Sequence, residues 1–78
     1  MSGPATELDC RGQLCPMPVL ALARAIGEVD VGDVVMVLAT DPAAAVDIAA
    51  WCRMKGQEYL GADTAEDGTP AYAVQRVS

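Results

Sequence analysis

The chain has 78 residues, 53% of them hydrophobic, with no Phe, one Trp and a net charge of −6 from eleven acids against five bases. That length suits one domain spanning residues 1–78 with a thin core, since a chain of this size buries only about 60–65% of its unfolded surface. So acidic a surface repels a phosphate backbone and disfavours direct nucleic-acid binding as the main activity. The five bases, Arg11, Arg24, Arg53, Lys55 and Arg76, are spread along the chain and read as solubilising charge. Three cysteines, an odd number, argue against a secreted disulfide scaffold and for reduced thiols. Met1 to Glu7 carries no targeting pattern, and no window approaches the ~18 apolar residues of a membrane span, so cytoplasmic residence is expected.

Residues 1–5 read as a loose tail. Thr6, Leu8 and Cys10 then alternate with Glu7 and Asp9, the period of a strand with one buried face. Arg11-Gly12-Gln13 breaks the strand, with Gly12 free to take a positive φ. Val19, Leu22, Ala23 and Ile26 follow at the i, i+3, i+4, i+7 spacing of a helix with one buried stripe, and Gly27 is placed to end it or loosen its last turn. Val31-Gly32-Asp33 turns into the apolar run Val34–Ala39, a central strand covered on at least one face. Thr40-Asp41-Pro42 opens a second helix, with Asp41 as N-cap and Pro42 at the first helical position. Its apolar stripe is Ala45, Ile48, Ala49 and Cys52, and Lys55-Gly56 signals its end. Gln57 to Asp63 and Ala71 to Val77 flank Glu66-Asp67-Gly68-Thr69 as a hairpin. The expected fold is α/β: a two-layer β-α-β-α-β-β sandwich, with a four-stranded mixed sheet and two helices on one face.

Chemistry concentrates in Gly12-Gln13-Leu14-Cys15-Pro16-Met17-Pro18. Two prolines in three positions would break a helix interior but fit a first turn, whose N–H groups lack intrahelical partners anyway. They place Cys15 at or just before the helix N-terminus, where the helix dipole favours thiolate over thiol and would equally favour an anionic persulfide. There is no His in the chain, which excludes Cys–His nucleophilic catalysis. An activated cysteine with no base of its own suits a thiol whose chemistry is completed by a partner.

The other candidates read as structural. Cys10 is in phase with Leu8 on the inward strand face, and Cys52 lies on the second helix's apolar stripe. A Cys10–Cys15 disulfide across the Gly12 turn is geometrically conceivable. Three cysteines at C-x4-C spacing without histidine make a poor zinc site, and no metal or cofactor is expected. Met17 and Met36 read as core filler, Trp51 and Tyr59 as packing residues. The acidic tip of Asp63, Glu66 and Asp67 reads as a solvated hairpin end, and Asp9 is placed where it could neighbour the Cys15 loop.

Leu8-Asp9-x-x-Gly12-x-x-Cys15-Pro16-x-Pro18 resembles the opening motif of the TusA/SirA-like sulfur carriers. The resemblance continues through Gly32-Asp33, Asp41-Pro42, Asp47-Ile48 and Cys52 and ends near Tyr72. It implies the same sandwich, and it implies that Cys15 accepts sulfane sulfur as a persulfide from a cysteine desulfurase, a rhodanese or a DsrE-type protein. Acceptors in that family belong to tRNA thiolation, molybdenum cofactor biosynthesis or sulfur oxidation. Gln13 stands where the family has Leu, and Gly27-Glu28 is acidic where many members are basic; both changes bear on the docking face. The expected function is therefore a sulfur relay through Cys15, with a donor and an acceptor protein as partners, a monomer when free and no independent turnover. The alternative is a redox or regulatory module that cycles Cys10 and Cys15.

Overall fold

The computed structural model describes residues 6–14 and 16–78; the tail expected at 1–5 lies outside them. The elements run β1 (Thr6–Cys10), α1 (Met17–Ile26), β2 (Val34–Ala39), α2 (Ala43–Lys55), β3 (Glu58–Thr64) and β4 (Pro70–Gln75). This is the expected β-α-β-α-β-β order, with both helices on one face of a four-stranded mixed sheet. The strand order across the sheet is β1-β2-β4-β3. β1 pairs with β2 in parallel, from Thr6 opposite Val35 to Cys10 opposite Ala39. β4 runs antiparallel to both β2 and β3.

Burial follows this order. β4 presents the buried Ala71, Tyr72 and Val74 and takes a central place beside β2. β3 carries Glu58, Asp63 and Thr64, all exposed, which suits an edge that must not recruit another strand. At the β3–β4 turn, the Gly68 N–H donates to Ala65 O (2.9 Å), and Gly68 takes φ +88°.

The core lies between the sheet and the helices. Val35 and Val37 of β2, Val74 of β4, Leu22 of α1 and Ile48 of α2 are wholly buried, joined by Cys10 and Cys52. Both expected helix stripes shift. The inward line of α1 is Pro18, Leu22, Ala25 and Ile26, with Val19 half-buried and Ala23 exposed. The inward line of α2 is Ala44, Ile48 and Cys52, with Ala45 and Ala49 half-buried. A single Ala methyl contributes too little transfer free energy to set a helix's rotation, so the larger residues decide it. The methionines also depart from expectation. Met17 is 51% exposed on α1, and Met36 is half-buried on the sheet face opposite Val35 and Val37.

The helix ends differ from one another. Pro42, not Asp41, holds the N-cap position of α2. Asp41 still caps, because its Oδ1 accepts from the Ala43 N–H (2.9 Å) and its carbonyl from the Ala44 N–H (3.0 Å). Gly56 closes α2 in the left-handed region at φ +73°, whereas Gly27 closes α1 with φ −72°. Beyond α1, the Arg76 guanidinium donates to Ile26 O (3.2 Å) and Val29 O (2.6 Å), so this arginine satisfies loop and helix-end carbonyls.

Candidate functional site at the start of the first helix

The loop from β1 to α1 leaves the C-terminal edge of the parallel strands, where open α/β sheets place their ligand crevices. Cys15 lies outside the described residues, so its setting is given by its chain neighbours. On the upstream side the β1 ladder ends at Cys10 and the chain turns at Gly12, whose φ is +80°. The Gln13 N–H donates to Cys10 O (3.1 Å), and the Gly12 N–H donates to Thr40 Oγ1 (2.9 Å) at the end of β2. On the downstream side Pro16 is the N-cap of α1, with Pro18 in the first turn, as the two prolines led us to expect. The Met17 N–H donates to Leu14 O (2.9 Å). No acidic residue occupies the first turn of α1.

The surroundings are apolar and open. Leu14, Met17 and Leu20 are 74%, 51% and 55% exposed. A shallow groove of about 230 Å³ begins at Pro16 and Val19 and is walled by Asp47, Ala50, Trp51 and Met54 of α2. A larger concavity, about 470 Å³, lies on the open face of the sheet around Glu7, Arg11 and Asp67. Its nearest lining residue along the chain is Arg11, whereas the smaller groove begins at Pro16, next to residue 15, so we place the candidate site at the smaller groove.

The remaining cysteines are sealed. Cys10 is 2% exposed and Cys52 1%. Burial pushes both thiols above their ordinary pKa, and the charge of Asp9 adds to the rise at Cys10. Both the burial and the raised pKa disfavour Cys10 as a reactive thiol. Trp51 and Tyr59 are half-buried against the core, as expected of packing residues. Among the described residues no group of three or more His, Cys, Asp or Glu could hold a metal ion. No helix among them is long and apolar enough to cross a membrane.

Two features of this end of the molecule were not foreseen. Arg11 donates from Nε and Nη2 to Asp9 (2.8 and 2.6 Å) and from Nη1 to Asp67 (2.7 Å). Arg11 is therefore not free solubilising charge, and Asp67 at the hairpin tip is not merely solvated. Asp9 is engaged by Arg11 beside the loop's upstream arm. Thr40 was read only as the residue opening α2. No local pattern marks its bond to Gly12, because the two are 28 residues apart.

The architecture is that of a SirA-like protein. The crystal structure of the SirA-like protein from Desulfitobacterium hafniense superposes with a TM-score of 0.80 at 22% identity, covering 94% of this chain and 99% of that one. At that identity the likeness speaks to fold, and sequence supplies the rest. The chain belongs to the sulfurtransferase TusA family, whose model matches residues 6–76. It is 38% identical over 71 residues to a putative sulfur carrier protein of Archaeoglobus fulgidus, covering 91% of this chain and 92% of that protein. It is 39% identical over 72 residues to the sulfur carrier protein TusA of Pseudomonas syringae, covering 92% and 84%.

Proposed function

We propose that this protein is a sulfur carrier that takes up sulfane sulfur on Cys15 and delivers it to a partner protein. The observation that carries the assignment to Cys15 is the burial of the other two thiols in a chain of this family. A docked donor cannot reach Cys10 or Cys52 without opening the core, which leaves Cys15 as the thiol available for exchange.

The transfer balances without an added oxidant. The Cys15 thiolate attacks the terminal sulfur of the donor's persulfide. A new S–S bond forms at Cys15 Sγ, the donor's S–S bond breaks, and the donor cysteine leaves as thiolate. Delivery repeats the exchange with Cys15 as the leaving thiolate. The start of α1 favours the anionic form at both stages. The chain has no histidine, so no imidazole of its own takes part in the exchange. The exposed Leu14, Met17 and Leu20 suit a transient protein contact around the loop. Donors of the cysteine desulfurase, rhodanese or DsrE type fit this chemistry, and the acceptors belong to tRNA thiolation, molybdenum cofactor or sulfur-oxidation pathways. Such a carrier works in the cytoplasm, where thiols stay reduced, and as a monomer between encounters.

The test is intact mass and peptide mapping without reductant, after incubation with a cysteine desulfurase and cysteine, or with a rhodanese and thiosulfate. One added, reducible sulfur atom is expected on the Cys15 peptide and none in Cys15→Ala. Sulfur acceptance by Cys15→Ala at the wild-type rate would refute the assignment.

A further inference from the structure

We propose that Thr40 is a positioning residue for sulfur transfer, holding the upstream arm of the Cys15 loop through its hydroxyl; the inference rests on the carrier function proposed above. The parallel ladder of β1 and β2 ends at Cys10 opposite Ala39. One residue further, Thr40 is level with Arg11, and continued pairing would keep the arm extended in the sheet. Instead the chain turns at Gly12, and the Thr40 hydroxyl takes the Gly12 N–H at 2.9 Å in place of the next rung.

The anchor is rigid on both of its own sides. Behind it is β2, paired with β1 and β4, and ahead is Asp41, whose carboxylate caps α2. The arm is further held by the bond from the Gln13 N–H to Cys10 O (3.1 Å), and past residue 15 the Met17 N–H is tied to Leu14 O (2.9 Å). Only a few residues separate these fixed points. Persulfide exchange needs the thiolate in line with the donor's terminal sulfur, and small displacements of an attacking group cost large factors in rate. Thr40 itself is exposed and takes no part in the core. Its hydroxyl can therefore be removed without unmaking the fold.

Thr40→Val keeps the shape and deletes the acceptor; Thr40→Ser keeps the acceptor. In Thr40→Val the Gly12 amide is expected to exchange faster by NMR, with an unchanged thermal midpoint. At saturating persulfide-loaded cysteine desulfurase the transfer rate should fall roughly tenfold, with the half-saturating donor concentration unaltered. Thr40→Ser should restore both the exchange and the transfer rate. Wild-type transfer in Thr40→Val, or a Thr40→Ser variant as slow as Thr40→Val, would overturn the proposal. Iodoacetamide alkylation of Cys15 separates this failure from failure of the carrier function, because it needs no donor. If the wild-type protein accepts no sulfur, a Thr40→Val change in alkylation rate reversed by Thr40→Ser upholds the positioning role. An unchanged alkylation rate removes it.

Discussion

Arg11 holds two carboxylates from distant parts of the chain, and their titration reports how tightly. Hydrogen bonds from Arg11 lower Asp9 from 3.8 to about 2. Asp67 is also lowered to about 2, first by hydrogen bonds from Thr69 and then by Arg11. Both folded values lie below the unfolded one. Their stabilisation is therefore fully present above about pH 4 and is lost as pH falls through about 2. Carboxyl carbon shifts should show both midpoints near 2. In Arg11→Ala, Asp9 should return toward 3.8, while Asp67 should return only part way because Thr69 remains. All three groups are exposed, so salt screens the pairing and the effect on overall stability should be small. Arg11 looked like scattered charge in the sequence because Asp67 is 56 residues away.

At the scale of elements, two glycines in equivalent sequence positions do different work. Each follows a helix: Gly56 reads as part of a stop signal, and Gly27 as a stop or a loosening of the last turn. Gly56 sits at φ +73°, where an added Cβ meets nothing nearer than Ser78 Oγ at 4.0 Å, so the obstacle to substitution is backbone conformation. Gly56→Ala should cost about 1 kcal/mol in urea denaturation. Gly27 has φ −72°, and a Cβ there meets Arg24 O at an ordinary 3.5 Å. Gly27→Ala should therefore be neutral or stabilise by about 0.5 kcal/mol through the unfolded chain. Equal losses at the two positions would contradict the dihedral difference. Element existence was legible because alternation in β1, the run Val34–Ala39 and the prolines at both helix starts are strong local signals. Helix rotation was not, because Ala23 and Ala25 look alike until neighbouring elements choose between them.

For the whole molecule, one sheet layer and one helix layer fill a body of 28 × 27 × 18 Å, whose short dimension leaves room for no further layer. Cys10 and Cys52 lie in that single core, so their reactivity follows global opening. Native alkylation should modify Cys15 alone. Cys10 and Cys52 should label only as urea populates the unfolded state, with midpoints matching loss of circular dichroism. A domain of this size is held by about 4–12 kcal/mol, enough to keep both thiols protected in water. Labelling of Cys10 at the rate of Cys15 in the native protein would reopen the dithiol alternative.

By itself the sequence determined the element order, the two-layer class, the inward placement of Cys10 and Cys52, and the family motif around Cys15. Each of these is written in short-range periodicity, proline and glycine placement, or spacing within one element. Tertiary structure alone decided the strand order with β4 inside, the rotation of both helices, the Arg11 bridge to the hairpin and the Thr40 support of the loop. Those depend on which distant surfaces meet. Such meetings are set by the joint packing of a sheet and two helices, and no local window of residues encodes them.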